Sequence, residues 1–266
     1  MVLLAAAQMT SGADKAKNLE TATRLVRRAA EHGCASVGLP ENFSWMGAEP
    51  DRPSAAEPLD GPTLSRMAEL ARTHRIAVLA GSVLEPASEP GMLHNTSVLF
   101  GPDGARVGLY RKIHLFDVNI RDGATYRESA AVSPGREVVT AALPFATVGM
   151  SVCYDLRFPE LYRALAQKGA TLLTVPAAFT LMTGKDHWEV LLRARAIEDQ
   201  CYVLAPAQWG QHSEKRLTYG HAMVVDPWGL VTARCSEGEG LAIASYDPAL
   251  LEDVRTKLPA LSHRRL

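Results

Sequence analysis

Through the first hundred residues, short apolar runs alternate with segments of helical period. From Tyr202 onward, apolar runs follow one another directly. These two patterns limit the fold more than any other feature, because alternation builds helix-covered parallel sheet and succession builds antiparallel pairs. Val2 to Gln8 reads as a strand. Asp14 to His32 places Ala16, Leu19, Ala22, Leu25, Val26 and Ala29 on one helical face, with Gly33 as the stop. Ala35 to Leu39 is a strand, Pro62 to His74 a helix and Ile76 to Gly81 a strand. Asn95 to Phe100 and Arg106 to Tyr110 flank Gly101-Pro-Asp-Gly104, a hairpin signal. Thr147 to Val152 and Thr171 to Val175 are strands on either side of a helix over Pro159 to Gln167, and His187 to Ile197 is a further helix. Four strands then follow: Tyr202 to Ala205, Ala222 to Val225, Leu230 to Ala233 and Leu241 to Ser245. Without repeats, linkers or a break in composition, residues 1–266 are expected to form a single α/β layered domain. Lys112 to Gly135 has no period and reads as a long connection, a kind of segment that is often functional.

Charge and cysteine usage remove several function classes. The 28 basic and 29 acidic residues leave a formal charge of -1, without the basic surplus of a general nucleic-acid binder. The apolar run Val2 to Ala7 is far too short to span a bilayer and lacks a basic leader, so neither membrane nor secretion is expected. A reducing, cytoplasmic location follows as the expectation. None of the four cysteines forms a C-x-x-C pair, which argues against a zinc ribbon or dithiol. Cys201 reads as part of a buried strand, and Cys34 and Cys235 sit near element ends.

Cys153 is different, because it ends a strand where a helix is about to begin. A side chain there reaches the rim of a sheet, and the positive end of the following helix would stabilise a thiolate. The sharp turn resembles a nucleophile elbow. The position fits a buried core thiol equally well. A thiol nucleophile needs a base. His94, His114, His187 and His221 are candidates, each with an ordinary packing or capping role available. Glu41 follows the strand ending at Leu39, and Lys112 follows the one ending at Tyr110. Alone, each also reads as a solvated charge.

Taken together, these segments form a pattern. Gly38-Leu-Pro-Glu-Asn42, Tyr110-Arg-Lys-Ile-His-Leu-Phe-Asp117 and Ser151-Val-Cys-Tyr-Asp-Leu-Arg-Phe-Pro-Glu160 resemble the three signatures of the nitrilase superfamily, the carbon–nitrogen hydrolases. They stand in the family's order and at spacings of the family's size. Tyr126-Arg-Glu-Ser129 followed by Ser133-Pro-Gly135 matches the stretch where the family carries a second glutamate. The resemblance spans nearly the whole chain. It implies a four-layer α-β-β-α sandwich whose protomers pair across an outer helical face, giving a homodimer or a higher homo-oligomer. It further implies Cys153 as nucleophile, Glu41 as general base, Lys112 with the backbone N–H of Tyr154 as oxyanion donors, and Glu128 as the carboxylate that orients Lys112. The chemistry is consistent: the base takes the thiol proton and returns it to the departing nitrogen, while preorganised charge meets the oxyanion. The substrate would be a small amide, cleaved through a thioester with neither metal nor organic cofactor.

Thr183 to Glu198, Tyr219 to Gly229 and the closing His263-Arg-Arg265 are similar to the Nit-type amidase branch, including the Nit part of Nit–Fhit fusions. That branch implies hydrolysis of deaminated glutathione to 2-oxoglutarate and cysteinylglycine. The sister activity is ω-amidase, on 2-oxoglutaramate. A true nitrilase, an acyltransferase and a catalytically silent interaction module are the remaining alternatives. Either amide carries a 2-oxo acid carboxylate, and Arg157, beside Cys153, is the first candidate to bind it. Arg157 could equally be an ion-pair partner of Asp155 or Glu160. Thr183 is a weaker donor candidate. Arg193 and Arg195, on a helix with Glu189 and Glu198, are expected to make ordinary intrahelical and interface pairs, Trp188 to pack, and Trp228 to sit in a turn.

Overall fold

The computed structural model describes residues 1–119, 125–214 and 216–265. In chain order the elements are β1 (Val2–Met9), α1 (Lys15–Glu31), β2 (Cys34–Gly38), α2 (Arg52–Ala55), α3 (Pro62–His74), β3 (Ala77–Pro86), β4 (Leu93–Phe100) and β5 (Arg106–Arg111). Then come β6 (Asp117–Asn119), β7 (Thr125–Arg127), β8 (Thr140–Leu143), β9 (Ala146–Met150), α4 (Pro159–Gln167), β10 (Leu172–Thr174) and α5 (Leu181–Asp199). Last are β11 (Tyr202–Ala205), β12 (Ala207–Ser213), β13 (Arg216–Tyr219), β14 (Met223–Val225), β15 (Val231–Arg234), β16 (Gly240–Tyr246) and α6 (Pro248–Lys257).

Two large sheets result. One has the order β13-β12-β1-β2-β3-β4-β5, with β16 also paired to β1; the other runs β15-β14-β11-β10-β9-β8. Strand β1 shows how the layers are assembled. Both of its faces are buried, and side chains alternate between them. Leu4 and Ala6 join the core between the sheets, with Leu79, Leu99, Val148, Leu173 and Val225. Ala5, Ala7 and Met9 join a second core beneath α1 and α3, with Leu25 and Met67. Helices α4 and α5 cover the outer face of the second sheet through Leu161, Tyr162, Trp188 and Leu192. The fold is therefore the expected α-β-β-α sandwich. Truncating a fully buried anchor such as Met67 to Ala costs about 2–5 kcal/mol.

Several boundaries differ from the sequence reading. Helix α5 begins six residues before His187. Gly184 hides its first turns from a periodicity reading, yet it is required there: a Cβ would lie 2.2 Å from Tyr219 Cβ. The connection from Lys112 to Gly135 contains the short hairpin β6–β7 and a 3-10 turn over Glu128–Ala130; its residues 120–124 lie outside the described residues. Strands β8, β12 and β13 and helix α6 were not anticipated. Among the described residues, no helix is long and apolar enough to cross a membrane.

Candidate active site

Glu41, Lys112 and Cys153 each leave the end of a strand, from β2, β5 and β9. Glu41 is aimed inward by a tight backbone crossing. A Cβ on Gly81 would stand 1.9 Å from the Leu39 carbonyl oxygen and 2.3 Å from that of Pro40, so only glycine lets this segment pass. Asn42 then turns at φ 55°, with its N–H donated to Ser82 Oγ at 3.0 Å. Lys112 is fixed in the same way. Gly135 N–H donates to the Lys112 carbonyl at 2.8 Å, and a Cβ on Gly135 would lie 2.0 Å from the Arg111 carbonyl oxygen.

Cys153 opens a 3-10 helix over Cys153–Arg157 and has φ 49°. That left-handed backbone on a non-glycine residue costs about 1–3 kcal/mol and persists only where its surroundings enforce it. The enforcing group is Asp155, which is 0% exposed. Its Oδ2 accepts from Val152 N at 2.8 Å and Tyr110 Oη at 2.7 Å. Its Oδ1 accepts from His114 N at 3.0 Å and lies 2.7 Å from His114 Nδ1. The turn thus has the strained geometry anticipated for a nucleophile elbow.

These elements bring together the four residues expected to carry chemistry. Lys112 Nζ donates to Glu41 Oε1 at 2.9 Å and to Glu128 Oε2 at 2.8 Å. Glu128 also accepts from Phe116 N at 2.7 Å, and Glu41 Oε2 accepts from Ala178 N at 3.0 Å. Glu41 is 3% exposed and Lys112 2%. Burial works against the Lys112 charge, but Glu128 and Glu41 outweigh it and hold the ammonium above its ordinary range. Burial likewise works against the Glu128 carboxylate, and Lys112 overcomes it, so that Glu128 titrates below its usual range. For Cys153, burial and the neighbouring Glu41 push the thiol well up, against the opposing pull of Lys112. The surroundings of the sulfur thus favour the thiol over the thiolate that a helix end would stabilise.

None of the four candidate histidines lines the cleft above this cluster. His94 and His221 bond backbone carbonyls, His114 is held by Asp155 and stacked on Phe158, and His187 faces Arg157. The cleft encloses about 800 Å³ including its open mouth. Arg157 lines it and pairs with neither Asp155 nor Glu160. Its guanidinium lies 5.2 Å from the Phe179 ring centre and 5.8 Å from that of Tyr154, with Nη1 3.2 Å from His187 Nδ1. Thr183 lines the cleft as well, its hydroxyl 2.8 Å from that of Thr180. Sequence reasoning missed three further arginines of the lining, Arg52, Arg127 and Arg216, and also Asn95. Arg52 is bonded to Glu49, and Arg127 to carbonyls of its own hairpin. Arg216 pairs with no carboxylate among the described residues.

The bystanders are also placed. Trp188 is buried and donates to the His221 carbonyl at 2.9 Å. Trp228 is 63% exposed in a turn. Arg195 pairs with Glu198 as expected. Arg193 does not pair with Glu189: it reaches the Gly229 carbonyl, and Glu189 pairs with Arg234. All four cysteines are free and buried, Cys201 just before β11.

A buried thiol beside a carboxylate and an ammonium, at the seam of an α-β-β-α sandwich, defines a class, and the chain belongs to it: the carbon-nitrogen hydrolase family matches residues 3–256. Within that family it is 48% identical over 265 residues to the deaminated glutathione amidase of Synechocystis sp. (strain PCC 6803 / GT-S), covering 98% of this chain and 97% of that one. It is 38% identical over 262 residues to the omega-amidase NIT2 of Mus musculus, covering 98% and 94%. The crystal structure of the C. elegans NitFhit protein superposes with a TM-score of 0.92 at 41% identity, over 99% of this chain and 65% of that one.

Proposed function

We propose that this carbon–nitrogen hydrolase is an amidase that cleaves deaminated glutathione to 2-oxoglutarate and cysteinylglycine. Cys153 attacks the amide carbon as Glu41 removes the thiol proton. Lys112 and the N–H of Tyr154 meet the oxyanion, and Glu128 holds Lys112. Glu41 returns the proton to the leaving nitrogen, and water releases the acyl group from the thioester. A base-assisted attack is supported by surroundings that push the thiol upward and by the carboxylate beside it.

The observation that carries the substrate assignment is the charge of the rim. Outside the catalytic cluster, the described residues lining the cleft include Arg52, Arg127, Arg157 and Arg216 against a single carboxylate, Glu49. Deaminated glutathione brings two carboxylates, on the oxo acid and on glycine, whereas 2-oxoglutaramate brings one. A rim with this surplus of cations fits the dicarboxylate, as does the 48% identity to a deaminated glutathione amidase. Hydrolysing both amides with one preparation and identifying the products tests the reading. A higher kcat/KM for deaminated glutathione is expected; equal or better cleavage of 2-oxoglutaramate would reassign the enzyme as an ω-amidase.

We further infer a homodimer formed across the outer helical face. Val190 and Ile197, two turns apart on α5, are exposed, as are Trp228 and Leu230, and the turn at Gly229 packs on Ile197, whose side chain lies 2.5 Å from where a Gly229 Cβ would stand. An exposed apolar patch of this kind is typical of an interface. Light scattering of native protein and of Val190→Glu checks it.

A further inference from the structure

Asn95 lies in β4 and is 2% exposed. Its Nδ2 donates to Glu41 Oε1 at 2.9 Å and to Glu128 Oε1 at 3.0 Å. The same two carboxylates share one ammonium, that of Lys112. The amide can point only one way, because turned over its oxygen would face two acceptors. In the orientation that serves the carboxylates, its own Oδ1 meets no donor among the described residues. A buried acceptor left without a donor is uncommon in native proteins and asks for a reason.

The reason lies in the lone pairs of Glu41. An ionised carboxylate oxygen accepts about two hydrogen bonds. Oε1 takes its two from Lys112 and Asn95. Oε2 takes one from Ala178 N, leaving one position, and the Cys153 thiol, which adjoins both Glu41 and the Ala178 backbone, is placed to fill it. We propose that Asn95 is a positioning residue that selects the oxygen of Glu41 acting as base, by saturating Oε1 so that Oε2 alone can receive the thiol proton. As the S–C bond forms, that proton moves to Oε2 and the carbonyl electrons move to the oxyanion. As the C–N bond breaks, the proton leaves Oε2 for the nitrogen. By holding Glu128 with the same amide group, Asn95 also keeps the Lys112 ammonium between the two carboxylates. The proposal rests on the reading of Glu41 as base.

Asn95→Asp tests it through pH. A carboxyl introduced between two carboxylates has a raised pKa. While neutral it still donates one hydrogen bond; once ionised it repels both neighbours. Turnover of deaminated glutathione by Asn95→Asp should therefore fall as pH rises through neutrality, along a limb absent from the native enzyme, with KM unchanged. Asn95→Ser, which retains a single hydroxyl donor, should lose about tenfold in kcat, a fraction of what a general base supplies, with the native pH profile. Alkylation of Cys153 by iodoacetamide, followed by mass spectrometry, should slow in parallel in both variants. A native pH profile and labelling rate in Asn95→Asp, or a defect confined to KM, would overturn the proposal. Glu41→Gln measured alongside separates the two readings. If it keeps native turnover, the base assignment fails; if it is inactive while both Asn95 variants behave as native, only the role of Asn95 fails.

Discussion

At the floor of the cleft, Glu41, Lys112, Glu128 and Asn95 are joined by hydrogen bonds of 3.0 Å or less, and the middle of that network is closed to solvent. At the rim, Arg157 rests against two aromatic rings and a histidine, and Arg216 has no carboxylate partner among the described residues. The floor is overdetermined: each charged group has two or more partners, and removing Lys112 leaves two buried carboxylates without their cation. The rim is underdetermined: Arg52 has Glu49, but the counter-charges of Arg157 and Arg216 would arrive with the ligand. On the mechanism proposed above, the floor sets the reaction and the rim sets which amide enters. A change at the floor should act on kcat with every substrate, and a change at the rim should act on kcat/KM with some.

The largest effect belongs to the nucleophile and its base. Cys153→Ala should abolish turnover and leave the protein folded, and Glu41→Gln should lower kcat by about 10²–10⁴ with either amide. Rapid-quench mass spectrometry should find an acyl adduct in the native enzyme and none in these variants. Lys112→Ala should lower kcat by about 10²–10³. It should also destabilise the fold by about 3–5 kcal/mol, because two buried carboxylates lose their cation; calorimetry and kinetics on one sample check both. Arg157→Ala should lower kcat/KM about ten to a hundredfold for both amides, the equivalent of about 1.5–3 kcal/mol for a charged hydrogen bond. A purely kcat effect there would erase the division between floor and rim. The smallest change is expected from Arg216→Ala: a loss of a few fold, on the order of 1 kcal/mol, for deaminated glutathione and none for 2-oxoglutaramate. An equal loss on both substrates would remove Arg216 from the selection of the leaving group.

How much of this was legible in the sequence follows the same division. Glu41, Lys112 and Cys153 could be found because each follows a recognisable strand within a patterned segment, and Glu128 is followed by Pro134-Gly135, a glycine that the backbone requires. The layered fold could be read from β1, α1 and α3, whose periods are clean. Asn95 could not be found: it sits inside Leu93–Phe100 among residues that read only as one arm of a hairpin, and its importance arises when β4 lies beside the ends of β2 and β5. Arg52 and Arg216 look like surface charges in any local window, and they reach the cleft only because α2 and β13, distant in sequence, both border it. Helix α6 did carry a signal, since Asp247 and Pro248 are an N-cap and a first-turn proline.

Asp155 has one consequence for the mechanics of the molecule. Lys112, Asn95 and Glu41 ride on the first sheet and Cys153 on the second, and this buried side chain clamps Tyr110 and His114 of one to Val152 of the other. The two slabs can slide past each other only by tearing that clamp, and a slip of a single ångström would carry the sulfur away from its base. With Glu41 as the proposed base, catalytic rate becomes a gauge of inter-sheet shear. Under rising pressure or denaturant it should fade before far-ultraviolet dichroism records any loss of secondary structure.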